Sequence, residues 1–335
     1  MLSVAYIGFG NSVVRYHLPY VREKENVKVK SIYRREEDRI GDMEREKYYP
    51  HINFTSNIDD IMKDDEINLV VVNTPDSTHV YYAKLALENG KNVLIEKPLA
   101  RNLNEAKEVF ELAKKKGLIA MTNQNRRFDT DYLTTKKVIE SGVLGEVIEV
   151  ESHYDYFRPT TIGKHLGYLY GLGVHTIDQM IDLLGIPERL HYDVRSLKYP
   201  GQSDDYFDID FYYGKCKGIV KTSYAVKLSY PRFIVHGTKG SFIKYGGAHN
   251  SDNKDNTEPF VVSFDVESKE NWGKLSYIDD NGVEHNELVQ SEVCNYGAIY
   301  DALYESIFNR KEKIVKDEEV LAALRIIEEA TEARR

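Results

Sequence analysis

The sequence predicts an α/β protein: a doubly wound parallel sheet at the N-terminus, followed by a C-terminal α/β domain on a mainly antiparallel open sheet. Three observations predict it. The apolar run Val4-Ala5-Tyr6-Ile7 leads directly into Gly8-Phe9-Gly10. Through the first third, short β-branched runs alternate with amphipathic stretches, the pattern of parallel strands joined by helices. Beyond residue 146 the runs lengthen, become aromatic and alternate in polarity, as antiparallel strands with one covered face do.

Residues 4–7 are the first strand and 11–25 its helix, in which Pro19 removes a backbone donor and predicts a kink. The second strand is 27–33. Residues 34–51 are charged and weakly periodic and carry the chain towards Phe54. A continuous apolar strand at 67–72, a helix at 79–89 closed by Gly90 and a strand at 93–95 come next. A helix at 102–116, closed by Gly117, precedes a strand at 118–122. These elements set a dinucleotide-binding domain at 1–122 and a substrate-binding and dimerisation domain at 123–335, whose C-terminal helix is able to return to the first domain. In the second domain, strands are expected at 147–157, 190–197, 206–213, 219–228 and 233–245, the last turning at Thr238-Lys239-Gly240. Phe207, Ile209, Phe211 and Tyr213 share one face of their strand, with Asp208, Asp210 and Tyr212 on the other. Such an aromatic face predicts a homodimer or higher homo-oligomer, because helices alone need not cover it. Residues 251–258 are polar and read as a loop, and a final helix from Asp317 carries the stripe Val320, Leu321, Leu324 and Ile327.

A chain of 335 residues suits two domains. Its net charge of -9, with 45 lysines and arginines scattered along it, argues against a nucleic-acid or membrane-surface partner and for a small molecule. Cys216 and Cys294 are the only cysteines, too few and too far apart for a disulfide framework or a thiolate metal site. No metal is expected. The chain enters its first strand without a basic leader, and no uncharged run approaches membrane-spanning length, so a cytoplasmic location is expected.

Gly8-Phe9-Gly10-Asn11-Ser12-Val13 is a phosphate turn of the Rossmann type: Gly8 permits the bend, and Gly10 lets backbone approach a pyrophosphate at a helix N-terminus. Where a carboxylate would meet the ribose hydroxyls, the chain has Arg34 and Arg35. Guanidinium pairs with a 2′-phosphate, so NADP is preferred, with NAD as the alternative cofactor and a solvated charge cluster with Glu36, Glu37 and Asp38 as the competing reading. Thr74 and Pro75 border the cofactor, while Asp76 or Ser77 caps the next helix. His79 either faces the nicotinamide end or packs. Glu96-Lys97-Pro98 ends the run Val93-Leu94-Ile95 at the sheet rim, where ligands collect, and Lys97 is placed to hydrogen-bond a substrate oxygen. Arg127, at the domain junction, fixes cofactor or substrate or makes an ion pair. In the helix after Gly171-Leu172-Gly173, His175, Asp178 and Asp182 fall on one face and Ile177, Met180, Ile181 and Leu184 on the other. That polar face is either solvated or lines a cleft. The preceding loop, with Arg158, Lys164, His165, Tyr168 and Tyr170, favours the cleft, and Arg158, Tyr156, Tyr170 and His175 are the candidate substrate contacts.

Together GFGNSV, TPDSTH from Thr74, EKP from Glu96, NRRF from Asn125 and GVHTIDQMIDLLG from Gly173 resemble the Gfo/Idh/MocA oxidoreductases over nearly the whole chain. The resemblance implies NAD(P)-dependent oxidation of a secondary alcohol on a sugar, sugar acid or cyclitol. It places the catalytic lysine on Lys97, the catalytic histidine on His175 and an acidic partner on Asp178. Many dehydrogenating members carry Asp four residues before the histidine, where this chain has Gly171. The alternative reading from that departure is a non-catalytic sensor binding NADP and a sugar.

Overall fold

The computed structural model describes residues 1–22, 24–157, 167–198, 200–246 and 258–334, so Arg158, Lys164, His165 and positions 251–257 of the expected polar loop lie outside the described residues. The chain forms two compact units. The first draws on Met1–Asn125, Asn250–Ser263 and Asn295–Leu321, and the second on Arg126–His249, Phe264–Cys294 and Ala322–Arg335. Two later segments therefore rejoin the N-terminal unit. Among the described residues no helix is long and apolar enough to cross a membrane.

Six parallel strands make the sheet of the first unit: β1 (Leu2–Ile7), β2 (Val27–Tyr33), β3 (Asn53–Thr55), β4 (Leu69–Val72), β5 (Asn92–Ile95) and β6 (Ala120–Thr122), in the order β3-β2-β1-β4-β5-β6. β4 and β5 are buried along their whole length, which is why their sequences do not alternate. The order reverses between β1 and β4, and the carboxyl ends of these two strands bound the crevice where such sheets take ligands. Helix Leu103–Lys116 is fixed at both ends: the Asn102 side chain accepts from Glu105 N, and Gly117 closes it at φ 66°. The helix after Gly10 differs from expectation. It runs only to Val21, with a π-helical segment at Val13–His17 in which Leu18 N reaches back to Val13 O. Pro19 opens the final α-helical turn, so the missing donor is absorbed by a widened turn before it. Asp76 and Ser77 do not cap the next helix: helix His79–Glu88 has no side-chain cap, and Asp76 pairs with Arg101 at 2.8 Å.

The second unit holds β7 (Val147–His153), β8 (Arg189–Arg195), β9 (Tyr206–Tyr213), β10 (Cys216–Ser223), β11 (Phe233–Gly237), β12 (Gly240–Lys244), β13 (Gly273–Ile278) and β14 (Glu284–Val289). Their order is β14-β13-β12-β11-β7-β10-β9-β8, antiparallel throughout except between β7 and β10. Sequence reasoning missed β13, β14 and helix Thr130–Glu140, which are too polar to stand out by periodicity. The aromatic face of β9 is not left open. Phe207, Ile209 and Phe211 are fully buried in one core with Leu169, Ile177, Met180 and Ile326. An aromatic face covered within its own chain gives no reason for association. The face turned away from that core is charged, with Lys221 pairing Asp208 at 3.0 Å and Lys217 pairing Asp210 at 2.8 Å.

Candidate active site

A cleft of about 490 Å³ opens at the carboxyl ends of β1, β2 and β4. Gly8, Phe9, Gly10, Arg34, Arg35, Thr74 and Pro75 line it, as expected from the sequence, and so do Tyr33, Asn73 and Tyr82, which were not anticipated. Gly8 sits at φ +99°, and a Cβ there would stand 2.5 Å from Asn73 O, so no other residue fits without moving backbone. A Cβ on Gly10 would meet nothing within 4 Å. Gly10 is exposed and opens a helix at Asn11, so backbone N–H groups face open space where a pyrophosphate fits. The residues present match a dinucleotide. Ser12 stands behind the turn, its Oγ accepting from Asn73 Nδ2 at 3.1 Å.

The two arginines differ. Arg34 is 5% exposed and committed, with Nη2 at 2.6 Å from Asp42 Oδ2, Nη1 at 2.9 Å from Glu46 Oε1, and its guanidinium over the Phe9 ring. Arg35 is 55% exposed and held by Asp38 at 2.7 Å. An exposed pair of that kind is weak. Of the two, Arg35 is the guanidinium able to turn to an incoming phosphate. His79 packs rather than facing a ligand: it is buried, with Nδ1 at 2.8 Å from Pro98 O and Nε2 at 2.8 Å from Thr74 O. Both ring nitrogens tie the loop after β4 to the loop after β5.

Glu96 follows β5, and its carboxylate gathers donors. Oε1 lies 2.8 Å from His17 Nε2 and accepts from Asn123 Nδ2 at 2.7 Å and from Asn73 Nδ2 at 3.3 Å; Oε2 accepts from Lys97 N at 3.3 Å. Burial pushes this carboxyl up, but His17, Asn123 and the Lys97 charge outweigh it and hold it below the ordinary range. Glu96 is thus an anion anchored at three strand ends, and Lys97 is carried on the backbone it fixes.

In the second unit, helix Val174–Leu184 follows a π-helical segment at Leu169–Gly173. Its polar face is not solvated: His175 is 5% exposed and Asp178 1%. Arg127 grips Asp178 in bidentate fashion, Nε to Oδ2 at 2.8 Å and Nη2 to Oδ1 at 2.7 Å, and reaches Asp182 at 2.9 Å. Lys136 at 2.7 Å and Tyr132 complete the Asp182 shell. Arg127 therefore makes the internal ion pair that was one of its expected roles. Asp204, missed from the sequence, holds the start of the π segment through its carboxylate on Leu169 N at 2.8 Å. Burial raises its carboxyl to about 6. Tyr170, half-buried, leans on the core, and Tyr156 is half-buried beside Tyr154 at 5.6 Å between ring centres. Among the described residues no cluster of three or more His, Cys, Asp or Glu is placed to hold a metal ion.

A doubly wound sheet with a glycine turn at its switch point, joined to an α/β unit on an open sheet, defines a dinucleotide-binding protein. The family profile described as the oxidoreductase family's NAD-binding Rossmann fold matches residues 2–124, and that of its C-terminal alpha/beta domain matches 136–335. The chain belongs to the Gfo/Idh/MocA family and is an NAD(P)-dependent oxidoreductase. It is similar to the oxidoreductase YhhX of Escherichia coli (strain K12), 48% identical over 99% of this chain and 96% of that one. The scyllo-inositol 2-dehydrogenase (NADP(+)) IolW of Bacillus subtilis (strain 168) is 29% identical over 99% of this chain and 93% of its own. Among solved structures, an oxidoreductase from Bacillus cereus superposes with a TM-score of 0.91 at 40% identity, covering 98% of this chain and 95% of that one.

Proposed function

We propose that the enzyme interconverts a secondary alcohol and a ketone on a polyol, a sugar, sugar acid or cyclitol, and prefers NADP(H). The observation that carries the reading is the anchored Glu96-Lys97 pair at the carboxyl end of β5, in the same sheet whose switch point forms the dinucleotide cleft. The nicotinamide, when bound, supplies the hydride acceptor or donor. Lys97 stabilises the developing alkoxide by hydrogen bond and charge. His175 takes the hydroxyl proton as general base, because imidazole is suited to proton transfer near neutral pH. Asp178 acts on the same helix one turn further on, where its hold on Arg127 keeps the helix in place. Tyr156 and Tyr170 are proposed to contact the substrate. The preference for NADP(H) rests on Arg35 at the cleft and on likeness to an enzyme named for NADP(+).

The test is a panel of inositols, aldoses and sugar acids offered with NADP⁺ and with NAD⁺, following reduced-nicotinamide absorbance. Turnover of at least one polyol, faster with NADP⁺ and reduced about 10²-fold or more in Lys97→Met and His175→Ala, supports the assignment. Absence of turnover with every member would overturn the substrate class. Unchanged rates in either variant would remove that residue from the chemistry.

A further inference from the structure

The polar contacts at Glu96 continue inward. His17, 1% exposed, lies in the π segment with Nε2 on Glu96 Oε1 and Nδ1 2.6 Å from the Tyr300 hydroxyl, which is 2.7 Å from the Tyr6 hydroxyl. Tyr6 and Tyr300 are fully buried. The line runs from the strand end that carries Lys97 through the Val13–His17 segment to helix Ala298–Phe308, and stops at β1.

Counting protons fixes its direction. A carboxylate only accepts, and burial holds both phenols well above their ordinary range, so each keeps a hydrogen that needs an acceptor. One order satisfies all of them: Tyr6 donates to Tyr300, Tyr300 donates to His17 Nδ1, and His17 Nε2–H donates to Glu96. The reverse order leaves the Tyr6 hydrogen without an acceptor among the described residues. Buried networks of this kind are costly when half satisfied. Every phenol and imidazole hydrogen of this line has an acceptor, while the Oδ1 atoms of Asn73 and Asn123, whose Nδ2 groups lie 3.1 and 3.2 Å from His17 Nε2, have no partner among the described residues.

We propose that His17, set in its tautomer by Tyr300 and Tyr6, is a positioning residue for hydride transfer, keeping a carboxylate charge on Glu96 beside Lys97 so that Lys97 is aimed from a fixed backbone with that charge next to it. The inference rests on the role given to Lys97 above. The titratable groups set against Glu96 are Lys97 beside it, His17 from the π segment and Tyr300 from helix Ala298–Phe308; Asn73 and Asn123, after β4 and β6, are neutral donors. With the His17 donor gone, burial acts on Glu96 with less opposition and the carboxyl holds its charge less firmly, with Asn123 and Lys97 left to oppose burial. Lys97 then keeps less of its neighbouring charge.

The experiment uses the full chain and two readouts. Lysines are reductively methylated with ¹³C-formaldehyde, the Lys97 resonance is identified by its loss in Lys97→Arg, and its titration midpoint is followed in wild type, His17→Leu, His17→Gln and Tyr300→Phe. In His17→Leu the midpoint should fall by about one pH unit, in Tyr300→Phe by less, and in His17→Gln, whose amide restores a donor near the Nε2 position, it should return towards wild type. In steady-state assays kcat of His17→Leu should drop about tenfold to a hundredfold, with cofactor Kd unchanged and activity regained in His17→Gln. Imidazole ¹⁵N spectra of the wild type should show His17 protonated at Nε2 and bare at Nδ1. An Nδ1–H pattern, or an unmoved Lys97 midpoint in a folded His17→Leu, overturns the proposal. If His17→Leu does not fold, the ¹⁵N pattern and the Tyr300→Phe midpoint decide it. If no polyol is turned over, the functional reading fails, while the two spectroscopic readouts still decide the role of His17.

Discussion

At the scale of single residues, the neighbouring arginines after β2 make the sharpest contrast. Arg34 is buried and shares Asp42 and Glu46, while Arg35 is exposed and held by the surface carboxylates of Asp38 and Glu37. Arg35→Ala should therefore weaken NADP(H) about tenfold to a hundredfold by calorimetric titration, leave NAD(H) nearly unchanged and leave the unfolding midpoint where it was. Arg34→Ala should do the reverse: lower stability by roughly 1–3 kcal/mol, because Glu46 keeps only Arg39, and affect both cofactors alike. Equal loss of NADP(H) selectivity in the two variants would return the 2′-phosphate to both. The sequence names these residue types but does not separate them, since burial depends on Phe9, Asp42 and Glu46 closing around one guanidinium. For the same reason EKP was legible and its anchors were not: Asn73 and Asn123 follow β4 and β6, and only the parallel register brings them to Glu96.

At the scale of elements, the helix carrying His175 is locked by charge. Removing one partner of a buried pair leaves the other uncompensated, so Asp178→Asn should cost about 3 kcal/mol or somewhat less, given that Asp182 still holds Arg127, as read by chemical denaturation. A double replacement, Arg127→Met with Asp178→Leu, should recover much of that. A loss confined to turnover would instead place Asp178 in the chemistry alone. The π segment before this helix has its own pH dependence. Asp204 is raised from 3.8 to about 6, so the folded state binds its proton more tightly than the unfolded chain. Its stabilising contribution is complete below about pH 4 and is lost as pH rises through about 6, at most about 3 kcal/mol. Asp204→Asn should flatten stability across that window and raise it at pH 7; an unchanged profile would mean the carboxylate is solvated. From the sequence this π segment reads only as the end of a loop, because a π turn has no compositional signature that separates it from one. A Cβ at Gly171 meets nothing within 4 Å, so Gly171→Asp should fold normally, and kinetics of that variant test whether an added carboxylate near His175 raises kcat.

At the scale of the whole molecule, the two-part architecture was legible because parallel and antiparallel sheets impose different periodicities. The return of residues 295–321 to the N-terminal unit was not, because it depends on contacts such as Tyr300 to Tyr6 that no local pattern announces. The same distinction decides what to expect of association. The alternation of β9 pointed to a dimer through an aromatic face, yet Phe207, Ile209 and Phe211 are inside the core. What the open sheet offers is a charged surface with Asp193, Asp208, Asp210, Lys217, Lys221 and Glu151 around a shallow depression. A second copy meeting this face would meet both signs of charge, and a twofold axis could set each sign against its opposite. Such a contact is screened by salt far more than an apolar one, with the Debye length falling to about 3 Å at 1 M ionic strength. We therefore expect light scattering at low ionic strength to report twice the 38.7 kDa chain mass, falling towards the single-chain value as salt is raised. Lys217→Glu with Lys221→Glu should abolish the larger species while leaving the fold intact by circular dichroism. A dimer indifferent to both salt and charge reversal would put the contact on another surface, and a single-chain mass in every condition would mean that the charged face remains in water.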